Sequence, residues 1–115
     1  SGYSDDFKKI GECFPNIDLA AIPIGAYDPR WFMKDAHMDP AEAVQVFEDL
    51  NATQAVGMHW GTFILTDEEM TEPLRLLHEA LVKNNLNGDD FSAMQHGQIK
   101  KLPVSIKEKG SLCVH

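Results

Sequence analysis

The residues best placed to do chemistry are His59-Trp60-Gly61-Thr62-Phe63, directly behind the apolar run Val56-Gly57-Met58. A histidine where an apolar strand runs out stands where α/β proteins put working groups, in the crevice beyond the strand ends. Gly57 and Gly61 clear space around the ring, Trp60 can wall off water, and Thr62 can orient a ring nitrogen. A second stretch, Gly25-Ala26-Tyr27-Asp28-Pro29-Arg30-Trp31-Phe32-Met33-Lys34, also follows an apolar strand. It brings a cation, aromatics and a carboxylate into a polar, Pro-broken loop. Together the two loops read as the substrate and metal rim of one site. One imidazole is not a metal site, because a hydrolytic zinc needs three or more ligands and an open position. No HxH, HxxxH or HExxH spacing occurs in the chain.

The elements that position these loops follow from capping and periodicity. Ser4-Asp5-Asp6 ahead of Phe7, Ile10 and Phe14 predicts a helix over residues 4–13 with one apolar face. Leu19-Ala20-Ala21-Ile22-Pro23-Ile24 predicts a strand at 18–24, covered on both faces, with Pro23 at its end or on an edge. Residues 25–38 have no clear period and read as a long loop, a length that usually signals function. Asp39-Pro40-Ala41-Glu42 is a helix start with N-cap, first-turn proline and N3 carboxylate. The helix runs over 40–51 and buries Ala43, Val46, Phe47 and Leu50. A short strand is predicted at 55–59, then a helix at 70–84 with Met70, Leu74, Leu77 and Leu81 as its stripe. A last strand is predicted at 91–95. The fold class is α/β, with about three largely parallel strands and flanking helices. Three strands make a poor sheet alone, so the chain reads as a piece of a larger sandwich. Residues 1–98 form the domain, and 99–115 read as a loosely held, Lys-rich tail.

Composition sets the outer bounds. The 115 residues suffice for one domain with a modest core. A net charge of −8 argues against a nucleic-acid footprint, which needs a basic stripe. Cys13 and Cys113 lie almost a chain length apart with no CxxC spacing, which predicts reduced thiols in a cytoplasmic setting. No apolar run is long enough to span a bilayer, and the expected place is the cytoplasm or the periphery of a membrane. The chain opens on Ser1-Gly2-Tyr3 rather than Met, which suggests a fragment, a processed product or a trimmed piece.

Three segments carry a family resemblance. Gly25-Ala26-Tyr27-Asp28-Pro29-Arg30-Trp31-Phe32-Met33, His37-Met38-Asp39-Pro40-Ala41-Glu42-Ala43 and His59-Trp60-Gly61-Thr62-Phe63 resemble the metallo-β-lactamase-fold phospholipases of the N-acylphosphatidylethanolamine phospholipase D type. The likeness runs in order from Ser1 to about Gly97. It implies the C-terminal half of a metallo-β-lactamase-type αββα sandwich. Such enzymes hold two zinc ions through an HxHxDH motif, a further His, a bridging Asp and a final His. His59 matches that final His, and Ser1-Gly2-Tyr3 resembles the residues directly after the bridging Asp. The other ligands belong to the N-terminal half of the fold. His37 resembles a histidine lining the substrate cleft near the phospholipid head group, although Ala36 stands where the family usually has Gln. Arg30 is suited to a bidentate contact with a phosphodiester, or to an ion pair with Asp28 or a neighbouring carboxylate. Tyr27 and Trp60 complete the substrate-binding set that the resemblance implies. Trp31, Phe32 and Met33 read as core packing, with an acyl-chain wall as the alternative. His78 and His115 read as solvated bystanders. His96 is assigned no catalytic role, and Gln98 replaces the usual Glu beyond it.

The function implied is zinc-dependent hydrolysis of a phospholipid phosphodiester, by a chain that lacks most of the metal ligands. Alone, such a chain should bind zinc weakly and turn nothing over. The alternative is a non-catalytic binding or assembly module derived from a truncated member of the fold. A nucleic-acid partner is disfavoured by the acidic balance. A sheet face that packs on the missing half should be apolar and exposed, which predicts a homo-oligomer.

Overall fold

Three parallel strands form one sheet in the computed structural model, which describes residues 2–103. They are β1 (Leu19–Pro23), β2 (Gln54–Met58) and β3 (Phe91–Ala93), in the order β1-β2-β3. Four helices accompany them: α1 (Asp6–Cys13), α2 (Arg30–Met33), α3 (Pro40–Leu50) and α4 (Glu72–Lys83). Each strand-to-strand connection carries a helix, as parallel pairing demands a crossover. Ala20 pairs with Ala55, and Ala55 with Phe91, so small and large side chains meet across the sheet. The α/β expectation with three strands and flanking helices holds.

The best-specified element is α3. The Asp39 side chain accepts from the Glu42 amide, and the Glu42 side chain accepts from the Asp39 amide. Two orphan donors of the first turn are thereby satisfied. Asn51 ends the helix in the left-handed conformation. Ala43, Val44, Val46, Phe47 and Leu50 are buried, and Phe47 meets Phe91 edge-on at 5.5 Å. Helix α1 lies close on α3 because Gly11 has no side chain; a Cβ there would stand 2.3 Å from the Asp49 carbonyl oxygen.

Several expectations need correction. Burial along β1 alternates, so one face is covered and Leu19 and Ala21 on the other are exposed. An apolar run alone does not distinguish a strand buried on both faces from one awaiting a second layer. Ile10 on α1 and Phe14 just past its end are exposed, and only Phe7 of the expected apolar face packs against the core. The single turn α2 lies inside the stretch read as loop. Helix α4 starts at Glu72, because Pro73 suits the first turn, and leaves Met70 exposed ahead of it. Strand β3 is shorter than predicted. Cys13 is disulfide-bonded rather than reduced. Of the tail, 99–103 has no regular structure and the remainder lies outside the described residues. Among the described residues no helix is long and apolar enough to cross a membrane.

Candidate active site

The loops that leave the carboxyl ends of the three strands gather on one edge of the sheet, the place open α/β sheets use for ligands. Pairing continues one step past β1, where the Ile24 amide donates to the Met58 carbonyl at 3.0 Å. Gly25 then presses directly on His59, the residue that follows β2. A Cβ at position 25 would sit 2.2 Å from the His59 carbonyl oxygen. Ala26 and His59 both have positive φ, at 63° and 60°. Such geometry in non-glycine residues costs about 1–3 kcal/mol each and persists only where surrounding contacts enforce it.

His59 is exposed, and its ring stacks on that of His37 with centroids 5.3 Å apart. His37 is half-buried, and burial together with the neighbouring His59 holds its imidazole below the usual range. Its backbone is fixed from α2. The His37 amide donates to the Met33 carbonyl at 2.8 Å, and Arg30 donates to the His37 carbonyl at 3.2 Å.

Arg30 also donates to the Tyr27 carbonyl at 3.4 Å, and it forms ion pairs with Glu42 and, at 3.6 Å, with Asp39. Of the two readings open at the sequence level, the ion pair is the one formed, with the α3 capping carboxylates rather than Asp28. Tyr27 is buried and its hydroxyl donates to Glu72 at 2.7 Å. Burial, the Glu72 bond and nearby carboxylates push its pKa well up. Its ring lines a separate cavity of about 510 Å³ with Arg30, Asp39 and Glu72, so it is not brought to His59.

Beside His59 opens a cleft of about 360 Å³, walled by Trp60, Phe63, Ile64, Leu65 and Glu68. Trp60 packs on the core from one side, whereas Phe63, Ile64 and Leu65 stand exposed. Trp31 and Phe32 are exposed too, at 83% and 69%, which corrects their reading as core. Thr62 does not orient His59; its hydroxyl lies 3.0 Å from Nε2 of His96. Sequence reasoning missed Glu68. Its carboxylate accepts from the amides of Ala26, Tyr27 and Asp28 at 3.1, 3.0 and 2.9 Å, and from the Thr66 hydroxyl. Burial alone would raise its pKa, but the Thr66 hydroxyl and the three amides outweigh it and hold the carboxylate below the ordinary range. A run of acids in a loop gives no hint of which one caps a distant turn.

Among the described residues no group of three or more His, Cys, Asp or Glu side chains could hold a metal ion. The described residues therefore do not make up a whole zinc site.

A parallel sheet with flanking helices, and a histidine at the carboxyl end of its central strand, defines a partial metallo-β-lactamase-type α/β fold. The chain belongs to the beta-lactamase superfamily: the model of the beta-lactamase superfamily domain matches residues 1–60. It is 45% identical over 102 residues to N-acyl-phosphatidylethanolamine-hydrolyzing phospholipase D 1 of Caenorhabditis elegans, covering 86% of this chain and 29% of that protein. It is 41% identical over 75 residues to the mitochondrial N-acyl-phosphatidylethanolamine-hydrolyzing phospholipase D of Saccharomyces cerevisiae, covering 64% of this chain and 16% of the relative. Outer membrane protein RomA of Klebsiella pneumoniae is 43% identical over 61 residues, which is 53% of this chain and 45% of RomA. The chain therefore spans less than a third of the two phospholipase relatives.

Proposed function

We propose that this chain is the His59-bearing part of a zinc-dependent hydrolase that cleaves a phosphodiester bond of N-acylphosphatidylethanolamine or a close phospholipid. The observation that carries this reading is the stacked His37–His59 pair beside a cleft whose rim is the exposed apolar run Phe63-Ile64-Leu65. Polar nitrogens beside an apolar rim match a lipid with a charged head and acyl tails. The likeness to two phospholipases of that substrate supports it.

In this reading His59 would give one nitrogen to the metal, and the remaining ligands would come from elsewhere in the complete protein. A zinc ion held by His59 and those further ligands would supply Lewis-acid stabilisation of charge on a phosphoryl group. His37, whose imidazole burial and the neighbouring His59 hold below the usual range, offers a hydrogen bond to the head group. Trp60 excludes water from the cleft floor. Arg30 acts through His37, whose carbonyl it holds, and would reach a phosphate directly only if its ion pairs opened. Tyr27 supports the loop from its far side. Exposed Trp31 and Phe32 suit the periphery of a membrane, where such a substrate resides. The open sheet face bearing Leu19 and Met58 is covered by the rest of the sandwich, or by a second copy when the chain is alone.

The test joins this chain to the N-terminal half of the fold, in cis or as a second polypeptide, and measures zinc content and N-acylphosphatidylethanolamine hydrolysis. Both should appear on joining, and His59→Ala should abolish both. A complete protein that keeps its zinc and its activity without His59 overturns the proposal. One that binds zinc and lipid but cleaves nothing would support a binding module instead.

A further inference from the structure

Glu68 is placed to do more than satisfy a loop. Its two oxygens accept four hydrogen bonds, which uses the whole capacity of a carboxylate. Three of the donors are the successive amides of Ala26, Tyr27 and Asp28, so one side chain grips a complete turn. That turn begins at Gly25, whose backbone lies against the carbonyl of His59, and includes Ala26 in its left-handed conformation. A second tie joins the same loops, where the Asp67 amide donates to the Asp28 carbonyl at 3.3 Å.

The grip continues toward His37. Tyr27 is held by Glu68 at its amide and by Arg30 at its carbonyl. The same Arg30 nitrogen donates to the carbonyl of His37, the ring stacked on His59. One path of contacts thus runs Glu68, Tyr27, Arg30, His37, and another runs Glu68, Ala26, Gly25, His59. They end on the backbone carbonyls of the two histidines whose rings stack.

We propose that Glu68 is the positioning residue of this site: by clamping the Ala26–Asp28 turn it fixes His59 through Gly25 and His37 through Tyr27 and Arg30. This deepens the hydrolase reading, on which the choice of the two histidines as working groups rests. The clamp requires a carboxylate of this length. Glutamine keeps one acceptor oxygen and turns an amide donor toward amide donors, and aspartate is one methylene too short to span the same turn.

Glu68→Gln is tested in the chain itself and in the complete protein. Amide hydrogen exchange should accelerate by roughly tenfold or more at Ala26, Tyr27 and Asp28, as losing charge-assisted bonds implies. Exchange in α3 should stay unchanged, and the ring signals of His37 and His59 should both move. In the complete protein kcat should fall by roughly 10- to 100-fold. Thr66→Val removes only the fourth bond and should give a smaller change at the same three amides; it decides the matter if Glu68→Gln does not fold. Unchanged exchange at the three amides with unmoved histidine signals overturns the clamp. Equal acceleration throughout α3 also overturns it, because the role would then be global stability. A complete wild-type protein that cleaves no lipid would defeat the hydrolase reading while the exchange and ring measurements still decide the clamp.

Discussion

The imidazoles of His37 and His59 stack at 5.3 Å with planes inclined by 26°, although they come from different loops. Two rings at that distance repel if both carry a proton. His37, the more buried of the two, is the one held below the usual imidazole range. This lowering favours the neutral form of His37, which can accept a hydrogen bond.

His37→Ala separates ligation from substrate handling. Zinc content of the complete protein should be preserved, while turnover or lipid affinity drops by roughly 10- to 100-fold, the usual effect of losing a supporting contact. Metal analysis and lipid hydrolysis on the same sample check it. Loss of zinc in this variant would make His37 a ligand.

Arg30 ties α2 to the cap of α3 through Glu42 and Asp39, and ties the two loops through the carbonyls of Tyr27 and His37. Arg30→Met should destabilise the chain by about 1–3 kcal/mol, the scale of hydrogen bonds to a charged group. Arg30→Lys should recover only part of this, since an ammonium cannot serve four acceptors in one plane. Denaturant midpoints at constant slope report the difference. A neutral Arg30→Met would show that the ion pairs contribute nothing.

Much of the fold was legible because its signals are local. Asp39-Pro40 with Glu42 announces α3, and the structure forms that capping box. The His59 loop was legible because a strand run ends there. What stayed hidden depends on partners distant in sequence. Glu68 caps a turn some forty positions upstream, a link no spacing rule contains. The exposure of one face of β1 depends on what covers the sheet, which the apolar run cannot state. Thr62 turns to His96 instead of His59 because loop direction, unlike loop content, is set by packing.

Acid should weaken the loop clamp in a defined window. The folded pKa of Glu68 is depressed, so the unfolded chain binds its proton first as pH falls. Its contribution is complete well above the unfolded value of about 4.3 and fades as pH drops through the lower folded value. The stability gap between wild type and Glu68→Gln should therefore be largest near neutrality and shrink below about pH 4. Thermal unfolding of both across that range is the measurement. A gap independent of pH would mean that ionisation of Glu68 is irrelevant.

The uncovered face of the sheet makes a prediction about the chain alone. Leu19 and Met58 are exposed at 37% and 46%, and Ala21 and Val56 lie between them on the same face. A second copy can bury this face at no cost in unsatisfied backbone. Sedimentation should show concentration-dependent association, and Leu19→Lys with Met58→Lys should shift it to monomer. A wild-type chain that stays monomeric at high concentration would refute this.

Gly25→Ala tests how tightly the two strand ends are locked. The new Cβ would meet the His59 carbonyl oxygen at 2.2 Å and the Trp60 Cα at 3.2 Å, and backbone has no rotamer with which to retreat. At Gly57 the nearest contact is instead the tip of the Ile24 side chain at 2.7 Å, which can rotate away. Gly25→Ala should therefore cost more than Gly57→Ala, with about 1–3 kcal/mol expected for the former. It should also move the His59 ring signal, because the only relief is to part residue 25 from residue 59. Gly57→Ala should leave that signal nearly in place. Unfolding midpoints and histidine spectra of the two variants decide the order. If Gly25→Ala is the milder change, the close approach at His59 does not hold the site together.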